Sequence, residues 1–154
     1  MSRENDSRSF TGPHRFTMKG WISTAPFERL LHMEILEAAE GRAVLKMPFV
    51  LDLAQGAGLM HGGALVSLAD TAVAMAIKSL LSEKSHFATI SLESRFLYPV
   101  RQGTVSARAE IVSRKDRVWQ GRAVVYDEED RPVVEFQSTF KMARDIEIKG
   151  IDFK

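Results

Sequence analysis

Residues 55–81, QGAGLMHGGALVSLADTAVAMAIKSLL, constrain this chain more than any other stretch. Between Gly62 and Lys78 only Ser67, Asp70, Thr71 and Lys78 itself interrupt a run of small and apolar residues with helical character. A helix that is apolar over most of its circumference must be enclosed, by protein or by lipid. Asp70 and Lys78 argue against lipid, because a membrane span is read from an uncharged apolar stretch. Enclosure by protein remains, and it leaves Asp70 to be explained. Aspartate is a poor mid-helix residue, and burying its charge costs several kcal/mol unless something compensates. Asp70 either faces water or is placed there to act.

The rest of the chain supplies the wrapping. Downstream, HFATISLESRFLYP, GTVSARAEIVSRK, RVWQGRAVVYDEED and RPVVEFQSTFKMAR have strand composition, with short connections at Pro99 to Gly103, at Lys115-Asp116 and at the acidic DEED run. Alternation is clear in Val105, Ala107, Ala109 and Ile111, and again in Val134, Phe136, Ser138 and Phe140. One face of the sheet is therefore expected to be covered and the other polar. Upstream, STAPFERLLHM reads as a short amphipathic helix with Ser23 or Thr24 as N-cap, and MEILEAAEGRAVLKMPF as two strands turning at Glu40-Gly41. Residues 1–20 lack apolar periodicity and are expected to form a flexible arm, which leaves 21–154 as a single domain. A short helix, two strands, one long apolar helix and four strands describe an α+β protein, an antiparallel sheet curled about a central helix. That is the hotdog architecture.

Composition removes several classes of function. A net charge of +1 gives no reason to expect nucleic acid or an anionic membrane surface as partner. The chain has no cysteine, so disulfides, thiolate chemistry and cysteine-bound zinc are excluded. Its four histidines, His14, His32, His61 and His86, show no ligand spacing, and neither a metal nor a cofactor is expected. MSRENDSRSFTGPHRF is polar and mixed in charge rather than basic then apolar, which points to a cytoplasmic location. The glycines of GAGLMHGG match neither a dinucleotide fingerprint nor a Walker loop, and no Gly-x-Ser-x-Gly elbow exists.

Within the helix, Ser67, Asp70, Thr71 and Lys78 fall at spacings of three, four and seven, with Ala74 filling the gap, and so form one stripe. A solvent-facing stripe is the ordinary reading of such a pattern, and a catalytic stripe is the alternative. His61-Gly62-Gly63 opens the helix and leaves backbone N–H groups unpaired at its positive end, where an oxyanion or polarised carbonyl is favoured. Glycine there lets a substrate approach closely. Gly62 and Asp70 are eight residues apart, which a helix spaces by roughly 12 Å, so one carbonyl cannot touch both in one protomer. In a twofold dimer with antiparallel helices, Gly62 of one subunit faces Asp70 of the other.

The stretch GLMHGGALVSLADTA resembles the hotdog-fold acyl-CoA thioesterases, in particular the branch with the phenylacetate-pathway enzymes and the 4-hydroxybenzoyl-CoA-thioesterase-like proteins. The resemblance runs from about Phe27 to Ala143 and rests on His-Gly-Gly, the acid nine residues after that histidine, and the Pro and Gly of the next connection occurring together. It implies hydrolysis of acyl-CoA or aryl-CoA thioesters by a homodimer, with pairing of dimers into a tetramer. It gives Asp70 the role of general base or nucleophile, and the Gly62 N–H that of polarising the thioester carbonyl. Gln55 matches a position near the thioester or the water, His61 holds the loop, and Thr89 falls where relatives place a water-orienting hydroxyl. Ala74 departs from those relatives that carry a hydroxyl one turn after the acid, a role left to Ser67 or Thr71. Gly63, Ser67 and Thr71 are thus candidate substrate contacts.

Residues 95–122 carry a local excess of five positive charges, and Arg114, Lys115 and Arg117, clustered at a hairpin, are the candidates for coenzyme A phosphates. For any single arginine among them, an ordinary solvated strand face is the stronger reading. Two rival functions fit the same fold. A hotdog dehydratase would use a histidine paired with an acid on different geometry, and a non-catalytic acyl-CoA-binding module would keep the pocket without turnover.

Overall fold

In the computed structural model, which describes residues 9–144 and 150–154, the long apolar helix lies against one face of a six-stranded antiparallel sheet. In chain order the elements are β1 (Phe16–Met18), α1 (Pro26–Leu30), β2 (Glu34–Ala39), β3 (Arg42–Pro48), α2 (Gly62–Lys78), β4 (Phe87–Phe96), β5 (Thr104–Lys115), β6 (Val118–Tyr126), β7 (Pro132–Met142) and β8 (Ile151–Phe153). The sheet runs β2-β3-β5-β6-β7-β4, so β2 and β4 are its edges. The expected α+β hotdog arrangement is what forms.

Local chemistry fixes the turns. Glu40 and Gly41 both have positive φ, the signature of the tight hairpin turn that matches strand twist, and this joins β2 to β3 in the expected place. The acidic run closes the β6–β7 turn: Asp127 Oδ1 accepts from the backbone N–H groups of Glu129 and Arg131, each at 3.0 Å, and Oδ2 accepts from Arg131 Nε. Alternation then sorts the side chains. Leu45, Met47, Val105, Ala107, Val125, Val134, Phe136 and Phe140 are buried beneath Leu68, Ala72, Val73 and Ile77 of α2, which lies chiefly over β3, β5 and β6. The opposite face carries Arg42, Glu110, Arg122, Gln137 and Glu93 as cross-strand neighbours.

Three details differ from the sequence reading. α1 is capped by Ala25, not Ser23 or Thr24, because Pro26 already occupies the first helical turn and sets the boundary one residue later. Its Phe27 and Leu30 are exposed, and Leu31, just past the helix, packs on the core instead. Of the expected arm, residues 1–8 lie outside the described residues, while Phe16–Met18 pairs in parallel with Ile151–Phe153 and buries Met18. Among the described residues no helix is long and apolar enough to cross a membrane.

Candidate active site

Because α2 sits over β3, β5 and β6, it covers the β7–β4 side of the sheet only partly. Its half-buried residues, Val66, Ser67, Asp70, Thr71 and Ala74, form a stripe along that side. Across from the stripe, edge strand β4 exposes Leu92 (46%) and Phe96 (53%), and the bulged Ile90 is 57% exposed. The result is a groove between helix and edge strand.

Asp70 lies in this groove rather than in open solvent. Its Oδ2 accepts a 2.8 Å hydrogen bond from Thr89 Oγ1 on β4. Thr89 is the residue before the β-bulge at Ile90, and such a bulge re-aims side chains beside it. The other oxygen, Oδ1, is buried and makes no hydrogen bond among the described residues. Burial pushes the carboxyl above its ordinary value, opposed by the Thr89 hydroxyl and then by the Ser138 hydroxyl of β7.

The helix start is built as its sequence implies. His61 is the N-cap, with extended backbone, and its Nδ1 accepts from the Gly63 N–H at 2.8 Å. Ala64 and Leu65 N–H both bond the His61 carbonyl. The Gly62 N–H has no acceptor among the described residues and is the one orphan donor left at the cap. A Cβ on Gly62 would come within 3.2 Å of the Phe96 ring, so the glycine and that ring share one wall of the groove. Gln55 folds its side-chain oxygen onto the Ala57 N–H, and its backbone bonds Leu59 and Gly58; it shapes the loop that delivers His61.

The other expected residues divide. The Ser67 hydroxyl donates to the Gly63 carbonyl at 2.7 Å, a back-bond along its own helix. Lys78, at the far end of the stripe, donates to the Trp21 carbonyl and lies 4.7 Å from the Trp21 ring centre, while the indole N–H bonds the Lys78 carbonyl; burial lowers its pKa. Arg114, Lys115 and Arg117 lie on the β5–β6 hairpin, with the Arg114 guanidinium over Trp119 at 5.4 Å. That hairpin belongs to the C-terminal end of α2, where Gly41 sits between Leu80 and Ile111. One protomer therefore joins Asp70 to Thr89, but holds Gly62 two helical turns away and the basic hairpin at the other end.

Two residues in this arrangement carry no motif. Gly121 of β6 allows α2 to approach: a Cβ there would fall 2.4 Å from Val73 Cγ1. Ser138 pairs with Gly121 and Leu92 and is 3% exposed, the only buried polar residue among the described ones. A strand glycine marks close approach by another element, and a serine at an inward position interrupts an apolar alternation. Both cues are present in WQGRAVVY and VVEFQSTF. A depression of about 880 Å³ lies on the opposite sheet face among Arg42, Arg108, Arg122, Glu93, Glu110 and Glu135, and none of the expected site residues lines it.

Comparison with known proteins gives a consistent picture. The family described as the thioesterase superfamily matches residues 57–134, about half of the chain. That stretch includes His61, Gly62, Asp70 and Thr89; Gln55 precedes it and Ser138 follows it. The protein ComA2 of Bacillus subtilis (strain 168) is 35% identical over 103 residues, covering 66% of this chain and 81% of that protein. Among solved structures, a mutant of the phenylacetic acid degradation protein PaaI from Thermus thermophilus is 30% identical with a TM-score of 0.70, over 76% of this chain and 98% of that one. The thioesterase HI1161 from Haemophilus influenzae is 25% identical with a TM-score of 0.74, over 80% and 86%.

Proposed function

This chain belongs to the thioesterase superfamily, and from that premise we propose that it hydrolyses acyl-CoA or aryl-CoA thioesters to the free acid and coenzyme A, with Asp70 as the acting carboxylate. The observation that carries the reading is the state of Asp70. One oxygen is held by Thr89, the other is unspent, and burial raises the pKa, which makes the carboxylate a better base than an exposed aspartate. In the proposed step, water adds to the thioester carbonyl carbon as Asp70 accepts its proton. The carbon–sulfur bond then breaks, and the thiolate leaves and takes up that proton. Attack by Asp70 itself, through a mixed anhydride, uses the same free oxygen.

The developing oxyanion needs a donor that Asp70's own protomer does not bring near. The free Gly62 N–H at the positive end of α2 has the right chemistry, and a twofold dimer supplies it from the partner. Edge strand β4, whose outer backbone edge pairs with no other strand among the described residues and which exposes Ile90 and Leu92, supports an interface there, since exposed edges are normally covered or charged. Pairing of such dimers into a tetramer is part of the same proposal. Gln55 and His61 set the loop; Gly63, Ser67 and Thr71 line the substrate side; Arg114, Lys115 and Arg117 take the coenzyme A phosphates.

The test is thiol release from a panel of acyl-CoA and aryl-CoA esters, for wild type and Asp70→Asn. The cysteine-free chain adds no thiol background. Turnover by wild type with a loss of about a hundredfold or more in the variant is the expected result. Saturable binding without turnover in either protein would make the chain a binding module instead.

A further inference from the structure

Three buried side-chain oxygens make no hydrogen bond among the described residues: Asp70 Oδ1, Ser138 Oγ and Ser94 Oγ. They are not scattered. Ser138 and Ser94 both stand on the helix-facing side of the sheet, on the adjacent strands β7 and β4, with Ser138 opposite Leu92 and Ser94 opposite Phe136. Asp70 is bracketed between these strands. Thr89 of β4 bonds one of its oxygens, and Gly121, the cross-strand neighbour of Ser138, is where Val73 of α2, one turn from Asp70, presses onto the sheet.

Packing alone gives Ser138 no reason to be serine. Its inward neighbours Val134, Phe136 and Phe140 are apolar and buried, and a hydroxyl sealed among them without a partner destabilises the fold. The same holds for the free oxygen of Asp70. The Ser138 hydroxyl lies near enough to lower the carboxyl's pKa, yet neither Ser138 Oγ nor Asp70 Oδ1 completes a hydrogen bond among the described residues, so a third group that bonds both relieves both. Water has the valence for it, since a buried water needs two to four polar partners.

We propose that Ser138 holds the attacking water: the water donates one hydrogen to Asp70 Oδ1 and accepts one from the Ser138 hydroxyl, which leaves its second lone pair for the thioester carbonyl carbon in the groove. On attack the proton passes to Asp70, and Ser138 keeps its own. The inference rests on the thioesterase reading and deepens it, because two strands then orient one water, Thr89 by fixing the carboxylate and Ser138 by fixing the water itself.

Ser138→Ala in the full-length protein tests this beside Asp70→Asn, on the thioester that wild type cleaves best. Loss of one hydrogen bond to the water predicts a fall in kcat of about tenfold with KM changed less than about twofold. The hydroxyl bonds the water rather than another part of the fold, so its removal predicts a Tm close to that of wild type, whereas loss of a merely structural serine would lower it. Wild-type kcat in Ser138→Ala, beside an inactive Asp70→Asn, would overturn this inference and leave the thioesterase reading intact. A joint fall of kcat and Tm with a rise in KM would also overturn it, since that is what lost packing does. No turnover by wild type on any ester would remove the reading and the inference together.

Discussion

Replacing Gly121 by alanine probes the contact that sinks Asp70 into its groove. The added Cβ would stand 2.4 Å from Val73 Cγ1 and 3.2 Å from the Glu110 carbonyl oxygen. Carbon atoms pack at about 3.5 to 4.0 Å, so α2 must rise by about 1 Å or Val73 must leave its rotamer. Val73 is fully buried and β-branched, with essentially one χ1 well in a helix, so the helix rises. Overpacking of this kind costs about 1–3 kcal/mol. The same rise stretches the 2.8 Å Thr89–Asp70 bond beyond hydrogen-bond range, and activity falls with stability. Val73→Ala alone leaves a cavity and costs about 2 kcal/mol. Combined, the new methyl occupies space that the valine vacates, so the pair should be less destabilised than the sum by about 1–2 kcal/mol. Urea unfolding of the four proteins, at one fixed protein concentration because an oligomer's stability depends on it, measures this coupling. Additivity within about 0.5 kcal/mol would show that the glycine is not there for the helix.

Asp70→Asn should stabilise the protein at neutral pH. Burial raises the folded-state pKa above 3.8, so the native state binds the proton more tightly than the unfolded chain, and wild-type stability falls as pH rises from 3.8 through that raised value. The Tm advantage of the variant should therefore be largest at about pH 8 and vanish toward about pH 4; an advantage independent of pH would contradict the assignment. Thr89→Val removes a hydroxyl that holds the carboxyl's pKa down, so the acid limb of kcat/KM should move to higher pH, a shift that a pH–rate profile reads directly. His61→Ala deletes the 2.8 Å cap on the Gly63 N–H and should cost about 1 kcal/mol in urea unfolding; no change would mean that the cap is replaced by solvent at no loss.

Much of this molecule was legible because its constraints are local. Glu40-Gly41 announces its turn, strict alternation from Val105 to Ala109 gives an inward face, and a helix apolar on most sides demands a cover. β1 and β8 were not legible, since two three-residue strands far apart in sequence carry no period, and only the folded chain brings Phe16 to Ile151. The candidate site was read in part. His61, Gly62 and Asp70 stand out because histidine, paired glycines and a mid-helix acid are unusual where they occur. Ser138 was in plain view within the series Val134, Phe136, Ser138, Phe140, yet the alternation hid it: a small hydroxyl does not break a hydrophobic period strongly enough to be noticed. The Thr89–Asp70 bond depends on the bulge at Ile90, whose position is set by pairing with β7 rather than by local composition.

These observations also say where the fold is least relaxed. A carboxylate with a raised pKa, a buried serine that completes no hydrogen bond among the described residues and a strand glycine in close contact with a helix valine all lie within one neighbourhood of α2, β6 and β7. Each is an unfavourable choice for stability taken alone, and each has an apolar or neutral replacement that would suit the core better. Natural chains commonly depart from local rules at the sites where they act, and substitutions that restore those rules gain stability and lose function. Asp70→Asn and Ser138→Ala should therefore share one signature: unfolding midpoints close to or above wild type with thioester turnover well below it. A protein that merely binds acyl-CoA would have no need of the unpaired oxygens of Asp70 and Ser138 together, since polarising a bound carbonyl requires donors at the helix start and not an activated water two turns further on.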